Sequence, residues 1–401
     1  MDDNPVIAML GRRLRLAVIG GGPGSFIGAM HRAAARLDDR YELVASALSS
    51  DPARARRAGL GLGLAQDRAY GGALELLDSE ARREDGADVV AIMTPNDSHH
   101  SLASAALENG FDVICDKPLT NTLDEALDLV AKVHETGLVF CLTHNYTGYP
   151  MVRQASAMVE EGQLGEIRLV QVEYVQGGKA GSEDADPDQG LPWRYDPVRG
   201  GPSLVMGDIG THAHNLVRFI TGVEVSQVSA EIGAIVPNRL VDDYAAAMLR
   251  FDNGGRGSFW VTQAAAGIEN CLRIRVSGTR GSLEWNQEQP TRLLFSPIQG
   301  PAELRTPNGP GTLPLAARAS RVVAGHPEAF HEAFANIYSD AAEAIAARRA
   351  GVAPHPLALR FPTVMDGAIG IKFVQAAIAS SESGGAWVDA LLDVGAQGDG
   401  R

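Results

Sequence analysis

The chain has 401 residues, of which 45% are hydrophobic and 21% charged, and a formal net charge of −14. That length allows two domains with cores of their own. The acidic balance, with no basic run long enough to track phosphates, excludes a nucleic-acid-binding protein, and no apolar run is long enough to span a bilayer. The three cysteines, Cys115, Cys141 and Cys271, form no close pair of the kind that zinc or a redox motif uses. Their odd number suits reduced thiols in a cytoplasmic protein. Residues 1–13 lack the basic and apolar regions of a signal peptide and are expected to be a flexible tail or a short extra segment.

Residues 15–19 read as a strand that runs into Gly20-Gly21-Gly22-Pro23-Gly24-Ser25-Phe26-Ile27-Gly28, and residues 29–37 follow with helical spacing. Strand, glycine turn and helix are the context of a dinucleotide fingerprint. Glycine lets the backbone approach a pyrophosphate, and a helix N-terminus favours its charge. If the motif starts at Gly20, Ser25 stands where the last glycine of a strict G-x-G-x-x-G belongs. Gly28 is therefore read as the close-packing glycine after a slightly lengthened loop. Gly20, Gly22, Pro23, Gly24, Ser25, Phe26 and Ile27 are candidate cofactor contacts; the other reading is an ordinary loop between strand and helix.

Residues 42–48 form the second strand, and its end should meet an adenosine ribose. Ser49-Ser50 stands there, followed by Asp51-Pro52. Serines bond a ribose but do not repel a 2′-phosphate as a carboxylate would. Arg54 and Arg68 are the cations near enough to hold such a phosphate, unless they lie on a solvated helix face. NAD is the expected cofactor, with NADP also usable.

Residues 74–83 make a helix and 88–93 a buried strand ending in Thr94-Pro95-Asn96, with His99 one turn into the helix 98–109. The tripeptide suits the cover of a nicotinamide ribose, or is only a proline turn with an Asn cap. Residues 111–115, β-branched at Val113 and Ile114, make another strand that stops at Asp116-Lys117-Pro118. Proline cannot extend a central ladder, so Lys117 sits at the carboxyl end of a strand, the edge where open α/β sheets bind ligands. A lysine reaching to water is the alternative. The helix 123–136 and the strand 138–142 follow, then Thr143-His144-Asn145-Tyr146. This alternation gives a doubly wound parallel sheet, an α/β dinucleotide-binding domain over residues 14–145.

Residues 150–161 read as a helix and 168–175 as a strand. Residues 177–201 are irregular and hold Trp193-Arg194, an aromatic beside an arginine that suits a polyhydroxylated ring; a surface excursion is the other reading. Asp208 and His212, four apart before a helix 213–221, project from one helical face. A carboxylate there can fix the imidazole tautomer and stabilise its protonated form; equally, the pair is an N-cap and a core histidine. From 225 to 295 strand follows strand with few crossovers, a mostly antiparallel open sheet in an α+β domain. This second domain, 146–390, is expected to bind substrate and to oligomerise. A sheet with two apolar faces needs two covers, which predicts a homo-oligomer, dimer or tetramer. Helices at 327–349 and 361–378 are expected to pack back, His326-Pro327 opens the first, and residues 391–401 are expected to form a C-terminal tail.

The glycine turn, Thr94-Pro95-Asn96 with His99, and Asp116-Lys117-Pro118 together resemble the glucose–fructose oxidoreductase / inositol dehydrogenase / rhizopine-catabolism (Gfo/Idh/MocA) family, over residues 14–390. The family's usual tripeptide is Glu-Lys-Pro, from which Asp116 departs. The resemblance implies an NAD(P)-dependent oxidoreductase that moves a hydride between a nicotinamide and a ring secondary hydroxyl of a small carbohydrate, anhydrosugar or cyclitol. It makes Asp208 and His212 the catalytic pair, with His212 the base and Lys117 the donor to the reacting oxygen. It also sets Thr94, Pro95, Asn96, His99, Asp116 and Lys117 at the cofactor, with no metal needed. Where the family often has a further Asp, this chain has Asn215. The glycine loop and the turns 143–146 and 325–327 are similar to a branch resembling scyllo-inositol and levoglucosan dehydrogenases. No phosphate-binding cluster stands near these residues, so an unphosphorylated substrate is expected, with His144, Tyr146, Trp193, Arg194 and His326 as further candidate contacts. Two other classes stand beside this reading. One is a glycoside-cleaving enzyme that retains its NAD; the other is a non-catalytic dinucleotide-binding sensor, against which the joint presence of Lys117, Asp208 and His212 counts.

Overall fold

The computed structural model describes residues 4–181 and 192–393. The chain divides into two compact units, the first Met1–Thr120, Asp124–Arg153 and Pro314–Gly367, the second Asn121–Leu123, Gln154–Leu313 and Ala368–Arg401. The division departs from the single cut expected at residue 145.

The first unit holds a sheet of β1 (Leu14–Gly20), β2 (Tyr41–Ala47), β3 (Val89–Met93), β4 (Asp112–Cys115) and β5 (Phe140–Leu142), in the order β2-β1-β3-β4-β5. Every neighbouring pair is parallel. β3 and β4 are buried along their whole length. This is why they read as continuous apolar runs: helices cover both faces of a parallel sheet. The strand order reverses between β1 and β3, and beside such a switch point open sheets bind their ligands.

The long helix Phe330–Ala350, expected with the second domain, belongs to this unit. It is buried all round from Ala333 to Ala347, and Phe334, Ile337, Tyr338 and Ile345 share one core with Leu16, Val18, Val89 and Ala91. A helix apolar on every side must be buried on every side, and it finds that burial here. Of the two readings of the N-terminus, the structure has the short extra segment. Residues Pro5–Leu10 form a short helix capped by Asn4, whose side chain accepts from Val6 N and Ile7 N, with Val6 in the core. Asn-Pro at one end and Gly11 at the other carried that signal.

The second unit is built on a nine-stranded sheet, order β13-β12-β11-β10-β6-β9-β8-β7-β14. Its strands are β6 (Ile167–Val175), β7 (Val225–Gly233), β8 (Tyr244–Phe251), β9 (Arg256–Thr262), β10 (Cys271–Gly278), β11 (Gly281–Asn286), β12 (Leu293–Pro297), β13 (Glu303–Arg305) and β14 (Val388–Asp389). All neighbours are antiparallel except β6 and β9. Burial alternates along β8, β10 and β11, which gives one face to the core and one to solvent. The core face carries Val172, Tyr174, Ile274, Val276, Leu283 and Trp285.

The other face is not the apolar surface expected. On it Arg273 and Arg275 each bond Glu284 at 2.6 Å, among the exposed Trp260, Met248, Leu169 and Leu294. No helix among the described residues is long and apolar enough to cross a membrane.

Candidate active site

The glycine turn of the first unit is held by packing that a side chain would destroy. Gly21 has φ 63°, and a Cβ on Gly28 would lie 2.0 Å from Gly21 O. Gly28 is thus the close-packing glycine that the sequence suggested. Ser25 has a different duty from the missing glycine: it is the N-cap of the helix Phe26–Leu37, its Oγ accepting from Gly28 N at 3.1 Å. Phe26 and Ile27 open the helix, and the Phe26 ring, largely exposed, sits 6.0 Å from that of Phe330. A tight turn feeding the N-terminus of a twelve-residue helix fits a pyrophosphate, since the first-turn N–H groups have no helical partners and the helix dipole favours an anion.

At the end of β2, Ser49 Oγ accepts from Asp51 N at 3.2 Å, and Asp51 caps the next helix through Arg54 N at 2.6 Å. Ser50 is exposed. The two arginines separate. Arg54 reaches back to Pro23 O at 3.5 Å, beside the glycine turn. Arg68 is buried and bound to Glu80, so it is spent on the core and offers nothing to a phosphate.

Thr94, Pro95 and Asn96 are half-buried at the end of β3, and Ser98 Oγ bonds Thr94 Oγ1 at 2.7 Å. His99 is fully buried, its Nδ1 2.8 Å from the Pro118 carbonyl and its Nε2 3.0 Å from that of Thr94. Its ring braces the turn after β3 against the turn after β4, so it shapes the place where a cofactor would lie through the backbone. Asp116 Oδ1 accepts from Lys117 N and from Thr143 Oγ1, both at 2.9 Å. The short aspartate folds back on its own chain, and the turn presents Lys117 half-buried at the carboxyl end of β4. His144 and Tyr146 are buried at the end of β5, with Tyr146 stacked on Tyr149 at 6.1 Å. His326 stands on an exposed turn with Nδ1 3.2 Å from Val323 O.

In the second unit Arg194 Cζ lies 4.4 Å over the Trp193 ring, so the two side chains form a cation–π pair. Residues 182–191 of the surrounding segment lie outside the described residues. Asp208 lies on a π-helical turn, Met206–Gly210, that runs into the helix Thr211–Thr221. The sequence spacing predicts an α-helical start at 213; the wider turn has no signature in composition, yet such turns recur at functional sites. The segment is pinned by Asp242, which accepts from Val205 N at 2.7 Å and Ser203 Oγ at 3.0 Å. Burial pushes the Asp242 carboxyl up, and those bonds oppose the rise.

Asp208 Oδ2 accepts from Lys179 Nζ at 3.1 Å and from Gln263 Nε2 at 2.8 Å. His212 is buried, 6.4 Å edge-on from the Tyr174 ring. Asn215, one turn beyond, has a buried Oδ1 with no hydrogen-bond partner among the described residues. Lys179 and Gln263 were invisible in the sequence: they lie 29 and 55 residues from Asp208 and belong to no motif. Among the described residues no group of three or more His, Cys, Asp or Glu side chains is placed to hold a metal ion.

A parallel sheet with this glycine turn, in a chain that also holds a large, mostly antiparallel sheet and an Asp and a His on a π turn and the helix it enters, is the make-up of a two-domain NAD-binding oxidoreductase. Residues 14–146 match the oxidoreductase family, NAD-binding Rossmann fold, and residues 152–284 match the GFO/IDH/MocA C-terminal domain. The chain belongs to the Gfo/Idh/MocA oxidoreductase family. It is 32% identical to the oxidoreductase YfiI of Bacillus subtilis over 95% of this chain and 98% of that one. It is also 32% identical to levoglucosan dehydrogenase of Pseudarthrobacter phenanthrenivorans, over 54% of this chain and 60% of that one. Among solved structures, an inositol dehydrogenase homologue from Azotobacter vinelandii, complexed with NADH and myo-inositol, superposes with a TM-score of 0.87 at 35% identity, covering 95% and 98% of the two chains. An oxidoreductase from Sinorhizobium meliloti gives 0.85 at 46% identity, covering 94% and 99%.

Proposed function

We propose that this chain oxidises a ring secondary hydroxyl of an unphosphorylated sugar, anhydrosugar or cyclitol, with NAD preferred over NADP. The observation that carries the reading is Lys117, half-buried at the carboxyl end of β4 and presented by a turn that Asp116 and Thr143 lock. The relatives that act on inositol and levoglucosan support the substrate class. The nicotinamide, when bound, supplies the hydride acceptor. The glycine turn and the first turn of helix Phe26–Leu37 hold the pyrophosphate, and Ser49 the adenosine ribose. His212 takes the hydroxyl proton, and Asp208 fixes its tautomer. Lys117 donates to the oxygen as negative charge builds on it, a contribution of about 3 kcal/mol for a preorganised donor of this kind. The open face of the second sheet, with Trp260 and Met248 exposed among paired charges, supports a homo-oligomer.

The test is NAD and NADP reduction across a panel of monosaccharides, anhydrosugars and inositols. Free NADH with an oxidised ring product is the expected result. A cleaved glycoside with the cofactor retained would replace this reading with the hydrolytic one, and cofactor binding without turnover of any member would replace it with the sensor.

A further inference from the structure

Behind Asp208 stands a polar network that the reaction as described does not use. The backbone after β6 is pinned to the segment after β9 by Gln176 N to Thr262 O at 2.8 Å, Lys179 N to Gln263 O at 3.0 Å and Ala265 N to Gln176 O at 3.0 Å. This rigid pairing carries the side chains. Lys179 Nζ donates to Asp208 Oδ2 at 3.1 Å and to Gln263 Oε1 at 2.6 Å. Gln263, which is buried, spans the same carboxylate oxygen at 2.8 Å and Gln176 Oε1 at 3.1 Å. Gln176 Nε2 bonds Asn270 Oδ1 at 2.6 Å, and Tyr174 OH bonds the same oxygen at 2.9 Å. The Tyr174 ring in turn lies against His212. The side chain of Lys179 is 19% exposed and that of Asp208 27%. Solvent weakens such a pair without removing it, and the shared Gln263 bonds fix its geometry.

We infer that Lys179 is a positioning residue that sets the basicity of His212 through Asp208. This rests on the proposed roles of Asp208 and His212. A bare carboxylate beside an imidazole favours the imidazolium and would hold His212 protonated, unable to accept a proton. Lys179 places a positive charge 3.1 Å from that carboxylate, which offsets its pull on the imidazolium and keeps His212 available as a base at neutral pH. In the second unit the Tyr174 ring of β6 lies 6.4 Å from that of His212, and Asp208, bonded to Lys179, stands four residues before it on the preceding turn. The inward residues of β10 are the apolar Leu272, Ile274 and Val276, and His214 is stacked on Phe373.

The experiment is the pH profile of kcat/KM for the intact enzyme with NAD and its best panel substrate, in Lys179→Gln and Lys179→Arg. Lys179→Gln keeps a donor and loses the charge. The acid limb should move to higher pH by about one unit, the scale of a nearby charge. Activity at neutral pH should fall about tenfold, recovering above the shifted limb. Lys179→Arg keeps the charge and should leave the limb in place. A loss of activity in Lys179→Gln with an unmoved limb would overturn the inference and leave Lys179 a structural brace. If Lys179→Gln proves unstable, a limb that moves in Lys179→Arg overturns it equally, and Gln263→Leu, which loosens the pair without removing the cation, should give a smaller shift in the same direction. His212→Ala is run beside them. Near-normal activity in that variant would sink the proposed function itself, whereas an inactive His212→Ala with an unshifted Lys179→Gln sinks only the role of Lys179.

Discussion

The two sheets do opposite kinds of work. The first is parallel, buried along its central strands, and ends in turns whose useful groups are backbone: a glycine bend, a helix N-terminus, and turns braced by His99 and Asp116. The second is largely antiparallel, half-open, and positions Asp208 by side-chain bonds from residues far apart in the chain. A ligand site made of backbone tolerates side-chain change but not a new Cβ. One made of side chains tolerates new backbone neighbours but not the loss of a charge or a donor.

The largest expected effects fall on the two groups proposed to react. Lys117→Ala and His212→Ala should each lower kcat by about 10³, the scale of a lost oxyanion donor or general base, while NADH binding followed by fluorescence stays within a few-fold. If the two act as one unit, as proposed, the double variant should be little worse than the poorer single one.

The next effect is on stability and belongs to the first unit alone. His31, on the helix after the glycine turn, is fully buried with Nδ1 2.7 Å from Tyr338 OH. Burial pulls its pKa from 6.5 to about 4. Its folded value lies below its unfolded one, so the unfolded chain binds the extra proton first, and stability is lost as pH falls from 6.5 towards 4. The loss should reach about 3 kcal/mol in urea melts, and His31→Leu should flatten that slope.

Gly28→Ala sharpens the contrast from the backbone side. Its Cβ would meet Gly21 O, so the turn must shift. KM for NAD should rise by about tenfold or more, with kcat at saturation largely kept. The smallest effect is at Ser49→Asp, where an added carboxylate should suppress NADP use by about tenfold and spare NAD. Equal activity with both cofactors in that variant would place the ribose elsewhere.

What could be read from the sequence follows the same division. Strands buried on both faces leave continuous apolar runs, so β3 and β4, and the motif residues at their ends, stood out. Glycine marks a close approach, and Gly28 was found by it. The helix Phe330–Ala350 was visible as a helix but not by its place, because an alanine-rich helix buried on all sides carries no stripe to say which core it fills. The capping role of Ser25 was masked by the expectation of a glycine. The π turn under Asp208 has no compositional mark. Lys179 and Gln263 are 84 residues apart, and only the pairing of β6 with β9 brings them to one carboxylate.

That pairing also bears on how the second sheet comes to exist. β7, β8 and β9 form one run of sequential neighbours, and β10 to β13 another; each can zip through short connections. β6 is made before either and joins both, parallel to β9 and antiparallel to β10. Loop closure makes such distant pairing slow, so the seam is the step at which assembly waits, and the segment carrying Lys179 waits with it. Pulse-labelled hydrogen exchange during refolding should therefore protect the amides of β8 and β11 before those of β6. Simultaneous protection of all three would show that the sheet forms as one piece.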